Sequence, residues 1–167
     1  MPDADTLFII LLILTTAGCG FMAGLVVFVD VVHYPAFHFI DKNRGKEFHS
    51  FHSRYTGLVV GGPMLLEAVT GALMPFIAMA AGSSALLQLG AWLTFALLVA
   101  IWAETGLRVI PKHRNIGING LHNPAHVVSL VRANRLRTIM WCIRYFILLL
   151  MIIFLLFVPL VSNGLKA

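Results

Sequence analysis

Seven histidines stand along this 167-residue chain, and their spacing suggests imidazole chemistry. Asp30 and His33 are three residues apart and share a face of a helix. An aspartate so placed can fix an imidazole tautomer, either for acid–base catalysis or behind a metal ligand. The same spacing also suits an ordinary hydrogen-bonded helix end. His49 and His52 are three apart, and His122 and His126 are four apart. Pairs of this kind set two imidazoles on one side of a metal ion, although neither pair has the neighbouring Glu or Cys that would make the pattern specific. Glu104 precedes Arg108 by four residues, the favourable order for an ion pair along one helix. Glu67 lies about ten residues into an apolar run, roughly 15 Å deep at the rise of an α-helix. An ionisable group at that depth needs a partner, and Arg144 is the one basic residue inside any apolar run. A protonated glutamic acid and direct participation in a site are the other readings of Glu67. The chain has no glycine-rich phosphate loop, no nucleophile elbow and no zinc-type cysteine cluster. Its histidines fall at the ends of the apolar runs, whereas a b-type haem asks for them within facing spans.

The elements that position these residues follow from composition. The chain is 59% hydrophobic and 11% charged. That balance lies outside the range of soluble domains. Four runs are long enough to cross a hydrocarbon core of about 30 Å, which takes roughly 20 residues. They are Leu7–Val32, Thr56–Ala80, Ala85–Leu107 and Ile139–Val161. The short link AAGSSA makes the second and third an antiparallel hairpin. The expectation is an all-α integral membrane protein, a single four-helix bundle spanning residues 1–167. The first run lacks a basic leader and exceeds the usual signal-peptide core, so it reads as a retained helix. Cys19 and Cys142 both lie in apolar runs and suggest no disulfide. Gly20-x-x-x-Gly24 and Gly57-x-x-x-Gly61 are small-xxx-small patterns, read as packing faces within the bundle. Pro35 is expected to end or bend the first helix by displacing Tyr34 from the α region. Pro63 and Pro75 are expected to kink the second. His122-Asn123-Pro124 reads as a helix start with Asn123 as cap. The basic and apolar sequence that follows suits an additional cytoplasmic interfacial helix running toward or into the fourth span.

Ten of the twelve Lys and Arg fall in the two loops after the first and third spans. They are Lys42, Arg44, Lys46 and Arg54, then Arg108, Lys112, Arg114, Arg132, Arg135 and Arg137. Arg144 is inside the last span, and only Lys166 is on the opposite side. The positive-inside rule makes the basic side cytoplasmic and puts both termini outside, in a bacterial inner membrane. All seven histidines share that basic side. Topology and anionic headgroups account for the net charge of +5, so nucleic acid is not a partner.

Several short motifs extend over most of the chain: HYP at His33–Pro35, Phe48 with Phe51-His52, Pro63 with Glu67, Thr105 with P-x-H at Pro111–His113, and N-x-x-R-T-x-x-W-x-x-R from Asn134 to Arg144. Together they resemble a group of small four-span bacterial membrane proteins of unassigned function. More loosely, they are similar to the anthrone-oxygenase-like family, in which the third helix ends in P-x-N and the fourth begins N-x-x-R-T. Here His113 stands where those proteins more often carry Asn. The resemblance implies oxygenation of a polycyclic aromatic substrate, and it singles out His33, His52, Glu67, His113, Asn134, Arg137 and Trp141 over His38 and His126.

The function expected from these residues is a membrane-embedded oxidoreductase or oxygenase acting on a hydrophobic, lipid-soluble substrate at the histidine-rich face. His33, oriented by Asp30, would serve as base or ligand, and Arg137 or Asn134 would hold a substrate oxygen. In a metal-dependent form, His33, His52 and His113 with Glu104 would be the ligands, a set that suits Zn, Cu or Fe. The alternative is a non-enzymatic accessory or scaffold subunit of a larger membrane complex, binding other membrane subunits and the lipid bilayer.

Overall fold

The computed structural model describes residues 3–121 and 124–164, with side chains described as far as Phe157. Every regular element among them is helical. Helix α1 (Ala4–Phe28) opens on Asp3, whose Oδ1 accepts the Thr6 backbone N–H at 2.8 Å. That bond holds the exposed Asp3 carboxyl below its usual range. Helix α2 (Gly45–Ala80) turns over at Ala81–Gly82, where Gly82 takes φ 64°, into α3 (Ala85–Glu104). A short α4 (Ile110–Asn119) and the long α5 (Pro124–Gly164) complete the chain. Four helical stretches are long and apolar enough to cross a membrane, and they follow the four apolar runs of the sequence. Large apolar side chains such as Ile13, Phe28, Leu65, Phe76 and Phe146 stand exposed around the bundle, a surface suited to lipid rather than water.

Two helices are longer than a bilayer requires. Helix α2 has 36 residues and α5 has 41 residues. At a rise of about 1.5 Å per residue these are about 54 Å and about 60 Å long. Both continue past their apolar runs at the basic end. The sequence 124–138, expected as an interfacial helix, forms the first turns of α5 itself. His122 and Asn123, the expected helix start, lie outside the described residues, as does Lys166.

Pro35 acts differently from expectation. Tyr34 keeps α-region backbone (φ −69°, ψ −39°) although Pro35 follows it. The chain solves the clash with a π turn over Val29–His33, in which the Tyr34 N–H reaches Val29 O at 2.9 Å. The wider coil relieves the pressure of the proline ring on the preceding turn and compensates for its missing donor. A tight 3₁₀ stretch, Pro35–Phe39, continues the helix, and the chain turns only at Ile40. The end of α3 repeats the device: a π turn over Thr105–Val109 precedes Ile110-Pro111, and Ile110 N–H bonds back to Thr105 O. Helix α2 runs unbroken through Pro63 and Pro75.

At mid-bundle a polar network is sealed among apolar side chains. Glu67 and Arg144 are both fully buried and form an ion pair through Oε2 and Nη1. The Trp141 indole N–H donates to Glu67 Oε1 at 2.9 Å, and Arg144 Nε donates to Thr94 O at 3.0 Å. Thr15 donates to Thr70 at 2.8 Å in the same buried core. Glycines make the room. A Cβ on Gly18 would lie 3.3 Å from the Glu67 Cβ, and one on Gly71 would lie 2.6 Å from Arg144 Nη2. These positions carry the close approach expected of the GxxxG patterns. Of those four glycines only Gly20 packs tightly, against Tyr145; Gly24, Gly57 and Gly61 face no heavy atom within 4 Å. Cys19 and Cys142 are both free.

Removing one partner of a buried pair leaves the other charge uncompensated. Arg144→Met should therefore lose on the order of 3 kcal/mol in an SDS-titrated unfolding experiment, while Glu67→Leu with Arg144→Met should recover most of it. Equal losses in the single and double variants would contradict this account of the pair.

Candidate functional site

Two π turns and two over-long helices deliver aromatic and basic side chains to one end of the bundle. His33 ends the π turn after α1 and Tyr34 follows it, His49 and His52 come from the extension of α2, and His113 comes from α4 just beyond the second π turn. Asn134 and Arg137 come from the extension of α5. Four imidazoles converge. The His33 and His52 rings stack with centroids 4.4 Å apart, and His52 stacks on His113 at 5.6 Å. His49 Nε2 lies 3.2 Å from His113 Nδ1, and the Tyr34 hydroxyl lies 3.2 Å from His113 Nε2. Both nitrogens of His113 are thus engaged. Of the two nitrogens that face each other between His49 and His113, the bond requires one to carry the proton and the other to accept it. His52 Nδ1 bonds the Thr56 hydroxyl at 3.0 Å, which orients the ring and leaves Nε2 for other contacts. Phe37 and Phe48 pack edge and face against His33.

Two of the four imidazoles, His52 and His113, stand with Tyr34 at the polar end of a cleft of about 600 Å³. Leu25, Val26, Val29, Val60, Met64 and Leu65 supply much of its apolar wall. Gly57 and Gly61, one turn apart on α2, keep the cleft open because they place nothing in it. Leu65, Trp102 and Ile110 on its border are exposed, so the cleft reaches the apolar outer surface of the bundle. Tyr34, His52, Thr56, Thr105, His113, Asn134 and Arg137 mark the polar part.

Several buried polar atoms here have no hydrogen-bond partner: His33 Nε2, Asn134 Oδ1 and Arg137 Nε, with Asp30 Oδ1 and Glu104 Oε1. Unmet groups are costly in an apolar surrounding and rare in native proteins. The Arg137 guanidinium lies over the Trp141 ring, 5.1 Å from its centroid. None of the ion pairs among the described residues includes Arg137.

Not every expected residue takes its expected part. Asp30 accepts a hydrogen bond from Arg135 Nε at 3.3 Å instead of orienting His33. The π turn rotates residues three apart off a common face. Glu104, offered also as a metal ligand, forms the ion pair with Arg108 that their spacing predicts, at 3.5 Å. His38 is exposed, and His126 is half-buried outside the imidazole cluster. Among the described residues no group of three or more His, Cys, Asp or Glu side chains is arranged to hold a metal ion. Neither Tyr34, placed only within the HYP motif, nor Thr56, placed only at the start of a span, is assigned a site role from sequence. The i, i+4 spacing of His52 and Thr56 and the position of Tyr34 beside Pro35 were the available signals.

Filling the cleft should abolish occupancy without harming the fold. Gly61→Leu is expected to shift Tm by less than about 3 °C, since its side chain enters open space. The same variant should weaken saturable binding of pyrene, read by quenching of tryptophan fluorescence in lipid nanodiscs, at least tenfold.

No protein-family model, curated protein or solved structure matches this chain.

Proposed function

We propose that this protein is a multi-pass protein of a bacterial inner membrane, with its basic end cytoplasmic, both termini outside and the first turns of α5 at the headgroups. In this reading it is an enzyme of the oxidoreductase or oxygenase kind that takes a hydrophobic substrate from the bilayer. One observation carries the proposal: a single cleft joins an apolar wall reaching the outer surface to an end holding Tyr34, His52, His113, Asn134 and Arg137. The loose similarity of the N-x-x-R-T motif at Asn134–Thr138 to the anthrone-oxygenase-like family supports an aromatic substrate.

The chemistry follows from the groups available. His52, held through Nδ1 by Thr56, presents Nε2 as general base toward an acidic methylene beside a carbonyl. The Arg137 guanidinium stabilises the enolate oxygen that forms when that proton leaves. Dioxygen, itself apolar and soluble in the bilayer, is the oxidant: the CH2 carbon becomes C=O, and the second oxygen atom leaves with the two hydrogens as water. The Tyr34–His113–His49 chain offers a hydrogen-bonded path along which the displaced proton is redistributed. No metal is required for these steps. A metal-dependent form would need His33, His52 and His113 to turn nitrogens to one point, and His113 would have to give up its bond to Tyr34 or to His49 to free one.

The test is oxygen uptake by the protein in lipid nanodiscs with anthrone as probe, alongside elemental analysis of the same preparation. Saturable uptake of one dioxygen per anthrone is expected, falling at least about 100-fold in His52→Ala and Arg137→Met. Uptake no faster than the autoxidation of anthrone in empty nanodiscs would contradict the enzyme and favour the accessory-subunit reading. A stoichiometric transition metal lost in His33→Ala and His52→Ala would replace the metal-free chemistry with the metal-dependent form.

A further inference from the structure

Asn134 is 1% exposed, lines the cleft, and has a side-chain oxygen with no partner. Its orientation follows from its neighbour. The Thr138 hydroxyl has one hydrogen, which it gives to backbone carbonyl oxygen: Asn134 O lies 3.0 Å away and Val26 O 3.4 Å. Toward the Asn134 side chain the Thr138 oxygen can then only accept, so the group beside it at 3.4 Å is the amide nitrogen. This assigns the remaining atom as Oδ1, a bare acceptor. About one helical turn further along α5, Arg137 Nε is a buried donor without a partner, on the same cleft.

The unmet pair is selective. A carbonyl or ether oxygen satisfies Arg137 and leaves Asn134 bare, so a ketone such as anthrone meets both groups only as its enol. An ammonium group satisfies Asn134 and is repelled by Arg137. A hydroxyl donates its hydrogen to Asn134 Oδ1 and accepts from Arg137 Nε with the same oxygen. We infer that the cleft selects apolar molecules whose head is a hydroxyl, phenolic or alcoholic, and that Asn134 is the residue that reads its hydrogen. This rests on the cleft being a ligand site, as proposed above, but not on any reaction occurring there. A site built around a hydroxyl discriminates strongly against an analogue lacking it, because the buried partner is left unpaired.

The experiment compares 1-hydroxypyrene with 1-methoxypyrene, which share an apolar body and differ in whether the oxygen carries a hydrogen to donate. Both are titrated at matched bilayer mole fraction into the protein in nanodiscs, with tryptophan quenching as readout. The parent should bind the hydroxy compound at least tenfold more tightly. Asn134→Leu, checked for an intact fold by thermal unfolding, should bring the two within about twofold by removing the acceptor. Equal affinities in the parent would overturn the inference and leave the cleft as an unselective apolar site, an outcome that stands even if Asn134→Leu fails to fold. A preference surviving in folded Asn134→Leu would overturn it by assigning the selection elsewhere. Binding of neither compound would overturn both the inference and the ligand-site reading.

Discussion

The arrangement of the bundle depends on a pair of charges that an apolar interior cannot solvate. Glu67 and Arg144 lie fully buried on different helices, and each must find its partners inside the protein. The solution draws on several elements: Trp141 from the helix of Arg144, the Thr94 carbonyl from α3, and the absent side chains of Gly18 on α1 and Gly71 on α2. A rotation or one-residue slip of any of these helices would break a hydrogen bond or drive a side chain into the guanidinium. Apolar packing tolerates such shifts more readily, since neighbouring apolar side chains are nearly interchangeable. The ion pair therefore fixes the register and phase of the bundle.

That register reaches the histidines. His52 is fifteen residues from Glu67 on the same unbroken helix. At the α-helical rise that separation is about 22 Å. Asn134 and Arg137 precede Arg144 on α5, on the side toward the basic end. With α2 and α5 phased at mid-bundle, their extensions carry the cluster in a fixed relation. On α1 and α3 the phase is reset at the last moment by the two π turns, each ending two residues before a proline. Without them His33 and His113 would point in other directions. The glycines divide into two classes by the same logic. Gly18 and Gly71 are filled by neighbours and serve the ion pair, whereas Gly57 and Gly61 are filled by nothing and form the cleft.

Hydropathy alone made the four long helices legible, because their central turns carry almost no polar side chains. Glu67 with Arg144 was legible too, since a lone buried acid demands a base and one candidate existed. The rest was hidden for identifiable reasons. Hydropathy stops where residues become amphipathic, so the run of α2 well past Thr56 toward the basic end went unexpected, whereas the helix from Pro124 into the fourth span was legible from its proline start. Helical spacing assumed α geometry at Asp30 and His33, where the backbone is π-helical and the pairing moved to Arg135. Glycine patterns show that space exists but not whether another helix fills it. That His33, His52 and His113 meet was expected from their shared basic side and from the resemblance, but the place of His49 against His113 joins two separate segments, which no local pattern records.

For the proposed function, the polar-ended cleft must hold a lipid-soluble molecule in preference to the rest of the bundle's apolar outer surface. Photo-crosslinking with a long-chain phenol carrying a diazirine, followed by peptide mapping of the protein in nanodiscs, tests this most directly. Label is expected to concentrate on the cleft wall, at Met64, Leu65 and Trp102, and to be competed by unlabelled phenol. Label spread evenly over exposed residues such as Ile13, Phe76 and Phe146, without competition, would contradict it.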